Sequence, residues 1–151
     1  MDPAALVEVT RRVLEARADE LIAAYVFGSV ARGTATARSD LDLGLLFRHA
    51  PESSLSGLGF DIAFELELAL KRQVDVVVLN RASPDLVHRV LRDGILVLES
   101  DRRARVEFEV HARAQFFDLA PLRRLYRHGR TAAAVPTPEV PASADETRDA
   151  K

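Results

Sequence analysis

Cysteine and tryptophan are absent from this 151-residue chain, methionine occurs once, and aromatic residues make up 6%. Without cysteine there is no disulfide framework, no thiolate zinc site and no cysteine nucleophile. No apolar run approaches the roughly 20 residues that span a bilayer, and the N-terminus lacks a secretory pattern. Charge of one sign is lacking too. Basic residues number 21 against 23 acidic ones, for a net charge of −2 and a pI near 6.1. That balance argues against a broadly basic nucleic-acid binder. The expectation is a soluble, cytoplasmic protein that touches neither membrane nor nucleic acid directly. What is present suffices for folding: 48% hydrophobic and 29% charged residues match a globular domain. A chain of this length buries roughly two-thirds of its unfolded surface.

Composition changes at Thr131. Residues 131–151 read TAAAVPTPEVPASADETRDAK, with Pro136, Pro138 and Pro141 and only two valines as sizeable apolar side chains. Such a stretch buries too little surface to offset its ordering entropy, which predicts a disordered or loosely attached tail. The division expected is therefore a domain over 1–130 and a tail over 131–151. The domain alone carries nineteen acidic and nineteen basic residues.

Helical and strand patterns alternate within it. Leu6, Val9, Val13, Leu14 and Leu21 recur near helical spacing, and Pro3 suits a first turn, predicting a helix over Pro3–Glu20. Ile22–Phe27 reads as a buried strand stopped by Gly28-Ser29, and Leu41–Phe47 as a second. Leu58–Arg72 is helical, with Ile62, Leu66 and Ala69 on one face. Val74–Leu79 is almost wholly aliphatic, which predicts a central strand. Ser83-Pro84 caps and opens a helix to Arg92, and Gly94 ends it before a strand over Ile95–Leu98. Asp101–Leu119 follows as a long helix with Val106, Val110, Ala114 and Phe117 on its inner side. Pro121 opens a last helix ending by Gly129. Strands separated by helices define an α/β domain with a small mixed β-sheet flanked by helices.

The chemistry lies in FGSVARGTATARSDLDLGLLF, Phe27–Phe47. Gly28-Ser29 ends a strand and Gly33 follows. Glycine has no Cβ, so the backbone turns tightly and comes close to a ligand. Backbone N–H groups of a helix starting there, with the Ser29 hydroxyl, favour phosphate oxygens. Alone, such a turn is common. Asp40 and Asp42 add weight, because residues two apart in a strand share a face. Leu41, Leu43, Leu45 and Phe47 would then face the core, while Gly44 leaves room beside the carboxylates. Adjacent carboxylates repel one another unless a cation intervenes, and Mg²⁺ takes one or two of them, completing its shell with water and phosphates. Asp75 sits in an apolar strand where an unpaired charge is costly. If that strand pairs beside Leu41–Phe47, the three carboxylates form one cluster suited to metal-dependent phosphoryl or nucleotidyl transfer. Read singly, Asp40 is a turn residue after Ser39 and Asp75 a partner for Arg72. The four features in one order outweigh those separate readings.

Gly28-Ser29, ten residues, then Asp40-Leu41-Asp42 resembles the signature of the DNA polymerase β-like nucleotidyltransferase superfamily. The fuller string GSVARGTATARSDLDLG resembles its minimal nucleotidyltransferase (MNT) branch, the antitoxin partners of HEPN toxins, over about residues 1–130. The resemblance implies a polymerase β-like fold, ATP and Mg²⁺ as ligands, and transfer of AMP to a tyrosine of a cognate HEPN ribonuclease toxin. It further implies metal binding by Asp40, Asp42 and Asp75, triphosphate binding by Gly28 and Ser29, and a general-base role for Asp75. Two other functions fit less well. Small-molecule nucleotidyltransferases of the aminoglycoside type carry an added helical domain, for which this body is short. A non-catalytic antitoxin that neutralises by binding needs no carboxylate cluster.

The remaining residues carry less. Arg32 and Arg38 lie between turn and double aspartate, where a guanidinium can neutralise phosphate, and Arg38 is the nucleotide-binding candidate. His49, His88, His111 and His128 show no ligand spacing. Phe116, Phe117 and Tyr126 read as core packing. Arginines at 102, 103, 105, 113, 123, 124, 127 and 130 read as a solvated helical face balanced by Glu107, Glu109 and Asp118.

Overall fold

A computed structural model of the chain describes residues 2–51, 59–119 and 121. The chain separates into two units, Met1–Asp118 and Leu119–Lys151, and the first carries all nine elements below. The helix expected from Pro121 and the proline-rich tail lie outside the described residues, Pro121 itself excepted.

The order is α1 (Pro3–Glu15), β1 (Leu21–Phe27), α2 (Gly28–Ala31), β2 (Leu41–Phe47), α3 (Phe60–Leu70), β3 (Val74–Val78), α4 (Pro84–Asp93), β4 (Ile95–Glu99) and α5 (Arg102–Asp118). The four strands form one mixed sheet in the order β3-β2-β1-β4. β1 pairs antiparallel with β2 and β4, and β3 joins β2 in parallel through the crossover helix α3. Helices cover both faces. Leu41, Leu43, Leu45 and Phe47 of β2 pack with Leu6 and Leu14 of α1 and Ile62 and Leu66 of α3. On the other face Ala23, Tyr25 and Phe27 of β1 meet Val87 and Val90 of α4 and Ala112 of α5. The expected inward row of β2 is thus the core row.

Capping chemistry sets the helix starts. Pro3 lies in the first turn of α1, and the Ser83 hydroxyl accepts from the Leu86 N–H at 3.4 Å to cap α4. α1 stops at Glu15, short of the expected Glu20, because Leu21 belongs to the strand and residues 16–20 form the turn into it. Arg17 fixes that turn by reaching α3, 2.9 Å from Asp61 and 2.5 Å from Glu65.

Two expectations are corrected. β3 is an edge strand and not a central one. Its aliphatic run reflects cover on both faces, Val74 and Val78 in one helical layer and Val77 against the other. The second correction concerns α5, whose Val106, Val110 and Phe117 are exposed, Val110 at 61% and Phe117 at 63%. Phe108 and Ala112 pack inward instead. Beside them the Tyr25 hydroxyl donates to Glu109 at 2.9 Å, and Arg105 pairs with Glu109 and, at 2.5 Å, with Glu99. Burial and the Glu109 carboxylate together hold the Tyr25 hydroxyl well above its ordinary value. This polar clasp ties α5 to β1 and β4 and decides which side of α5 faces inward. Phe116 stacks on His88 with ring centroids 3.7 Å apart, and Phe117 meets both rings edge-on, which accounts for His88. Val110→Ser should therefore change unfolding free energy by no more than about 0.5 kcal/mol. Ala112→Leu should cost about 1–3 kcal/mol by overpacking. Urea titration of both variants checks the assignment.

Candidate functional site

β1 ends at Phe27, and the chain turns at Gly28 with φ +68° into the one-turn helix α2. Phe27 stands opposite Asp42 on β2, so the turn sits directly beside that carboxylate. A Cβ on Gly28 would lie 1.7 Å from Asp42 Oδ2. The glycine is needed twice, for the left-handed backbone and for the close approach. The Ser29 backbone N–H on this turn favours the charged form of the Asp42 carboxylate. The Ser29 hydroxyl has no hydrogen-bond partner among the described residues. After α2 the loop is shaped by its own polar groups: Thr36 N–H donates to Ser39 Oγ at 2.9 Å, and Ser39 N–H to Thr36 O at 3.2 Å.

Parallel pairing completes the cluster. Asp42 and Asp75 are register partners on β2 and β3, and Asp40 lies two residues before Asp42. Asp42 is half-buried, while Asp40 and Asp75 are exposed. Burial first, then the charges of Asp75 and Asp40, push the Asp42 carboxyl above its ordinary value; Arg32 and the Ser29 amide act against that. No ion pair joins Asp40, Asp42 or Asp75 to an arginine or lysine among the described residues, and Arg72 does not pair with Asp75. The cluster is a concentration of negative charge that the protein leaves largely uncompensated.

Gly44 departs from expectation. Its outer side is filled, since a Cβ there would meet Val90 Cγ1 at 3.1 Å and Leu79 Cδ2 at 3.3 Å. The small residue lets α4 close on the sheet, so the space expected there beside the carboxylates is taken by Val90 and Leu79. Of the two loop arginines, Arg32 puts its charge on Asp42 and on Asp93 at the end of α4. Arg38 is exposed, and its backbone N–H donates to Thr36 Oγ1 at 3.3 Å. The sequence reading takes Arg38 as the nucleotide-binding candidate, whereas the charge that bears on Asp42 is that of Arg32.

Among the described residues no set of three His, Asp or Glu side chains stands ready to hold a metal. Mg²⁺ asks for less, because one or two carboxylates suffice when water and phosphates complete the shell. Paired, uncompensated Asp42 and Asp75 fit that demand. No helix among the described residues is long and apolar enough to cross a membrane.

A small mixed sheet bearing a Gly-Ser turn and facing carboxylates is the framework of a nucleotidyltransferase. The family model described as polymerase beta, nucleotidyltransferase matches residues 10–103, and the chain belongs to that family. No curated protein matches the chain. Among solved structures, a toxin–antitoxin complex with AMP-PNP contains a similar chain (TM-score 0.71, 23% identity, 83% of this chain and 98% of that one). A chain from the complex of tri-AMPylated Shewanella oneidensis HEPN toxin with MNT antitoxin is similar at TM-score 0.67 and 20% identity, over 85% and 98%. A minimal nucleotidyltransferase shares 36% identity at TM-score 0.52, over 63% of this chain and 95% of its own.

Proposed function

We propose that this protein is an ATP- and Mg²⁺-dependent protein adenylyltransferase, an antitoxin that silences a cognate HEPN ribonuclease by adding AMP to one of its tyrosines. The observation that carries the reading is the register pairing of Asp42 with Asp75 beside Gly28, with Asp40 two residues away. Support comes from the family of the chain and from a fold shared with chains of toxin–antitoxin complexes, one containing AMP-PNP and one an AMPylated toxin.

Asp42 and Asp75, with Asp40 alongside, would hold Mg²⁺, which when bound neutralises phosphate charge and favours the ionised acceptor. Gly28 and the free Ser29 hydroxyl border the space for the triphosphate, and Arg32 adds positive charge on that side; Arg38 remains a candidate for the same role. Asp75, exposed at the sheet edge, takes the proton of the acceptor hydroxyl. A tyrosine hydroxyl has an ordinary pKa near 10, so it needs such help at neutral pH. The phenolic oxygen attacks the α-phosphorus, an O–P bond forms, and the bond to pyrophosphate breaks.

The test is the intact mass of the protein encoded by the adjacent gene, after incubation with this protein, ATP and Mg²⁺. A gain of whole AMP units, abolished by the Asp40→Ala, Asp42→Ala double variant, is expected. Neutralisation by both proteins without any mass gain would leave an antitoxin that acts by binding alone.

A further inference from the structure

The outer edge of β3 is built like a docking groove. Leu41 N–H donates to Gln73 O at 3.0 Å and Leu79 N–H to Leu45 O at 2.8 Å, so the odd-numbered residues of this segment bond to β2. The even-numbered ones face outward. Val74 N–H is taken by Glu67 at 3.1 Å and Val78 O by Arg81 N–H at 3.1 Å. That leaves the Val74 C=O, the Val76 N–H and C=O and the Val78 N–H, with no partner strand among the described residues.

A cavity of about 560 Å³ runs along this edge. Phe60 and Ala63 of α3 form one wall, Ala82 and Leu86 the other, and β3 its floor. Phe60 is 56% exposed, and Phe64 and Leu68 continue its apolar row along α3 at 60% and 64%. An open edge between two apolar walls is what an added strand requires: main-chain hydrogen bonds supply affinity, and alternate side chains enter the walls. Asp75 lines the same cavity. Whatever lies along β3 therefore passes the residue that receives the acceptor's proton. The apolar lining suits a peptide better than a triphosphate, whose place is by Gly28.

We infer that the β3 edge receives an extended segment of the acceptor protein by strand addition between α3 and α4, delivering the attacked hydroxyl to Asp75. This rests on the adenylyl-transfer reading, which is measured separately in the test.

Amide hydrogen exchange is followed by NMR on the full chain, alone and with the purified protein encoded by the adjacent gene, without ATP. AMP transfer is measured on the same samples with ATP and Mg²⁺. Exchange at Val76 and Val78 should slow at least ~10-fold in the complex, as expected for newly hydrogen-bonded strand amides. Val76→Pro removes the outward N–H, a change edge strands tolerate, together with a half-buried side chain packed on the core, so its folding is checked by circular dichroism. It should raise KM for the acceptor protein roughly ten-fold, the weight of one such bond, and leave KM for ATP unchanged. Phe60→Ala, at an exposed wall position, should act in the same direction and serves if the proline variant does not fold. AMP transfer without slowed exchange at Val76 and Val78 overturns the groove and leaves the function standing. Slowed exchange without transfer keeps the groove and overturns the function. Slowing that appears in the chain alone as its concentration rises means a second copy occupies the edge, and overturns the inference.

Discussion

Gly28→Ala is expected to lower unfolding free energy by about 2–5 kcal/mol in a denaturant titration. The left-handed backbone at φ +68° costs an alanine roughly 1–2 kcal/mol. The new methyl also falls 1.7 Å from Asp42 Oδ2, and forcing that overlap apart adds about 1–3 kcal/mol. Gly33 is the internal control. Its φ is +69°, yet nothing lies within 4 Å of a Cβ there. Gly33→Ala should therefore show the backbone cost alone. Equal losses in the two variants would mean that the approach of Gly28 to Asp42 carries no energetic weight.

Asp42→Asn should cut AMP transfer by at least about two orders of magnitude, the usual scale for removing a group that stabilises transition-state charge. The same change should raise the melting temperature of the ligand-free protein at neutral pH by a few degrees. The sign follows from the direction of the shift. Burial and the charges of Asp75 and Asp40 raise the folded-state pKa of Asp42 above its unfolded value. Between those two values the native state binds more protons than the unfolded chain, so wild-type stability falls as pH rises through the window. The penalty is complete above the raised value and absent below the ordinary carboxylate pKa. The asparagine variant should melt above wild type at pH 7, with the gap closing as pH falls through that window. A variant that melts below wild type at pH 7 would show that Asp42 is held for stability and not for binding.

The site was legible where chemistry and strand period coincide. Asp40-Leu41-Asp42 fixes which face of β2 is buried, since a one-residue slip would bury two carboxylates and expose the leucines. Asp75 was legible because a charge in an aliphatic run has few explanations. The structure differs where a residue type admits two packings. Gly44 could open space for a ligand or admit a helix, and only the position of α4 shows that Val90 fills it. α5 carries two apolar rows at helical spacing. The choice between Val110 and Ala112 is made by the Tyr25 hydroxyl reaching Glu109, a contact between segments far apart in the chain, with Arg105 joining Glu109 to Glu99 of β4. Arg32 and Arg38 are chemically identical, and only the folded arrangement shows that it is the Arg32 charge that bears on Asp42.

The parallel pairing of β2 with β3 has a consequence for the order of folding. β1 and β2 are joined by a connection that keeps them antiparallel neighbours, so Gly28 and Asp42 can meet early. Asp75 reaches Asp42 only after the chain has passed through the whole α3 crossover, and closing such a non-local connection carries an entropic cost before any contact repays it. Charge repulsion within the carboxylate cluster arrives at that same step. Assembly of the carboxylate cluster and the docking of β3 on β2 are thus one event, and a chain still emerging from the ribosome holds half the cluster until β3 has been made. Any cation or nucleotide that offsets the cluster's charge would then be felt as a slower opening of the β3 edge more than as a faster start to folding.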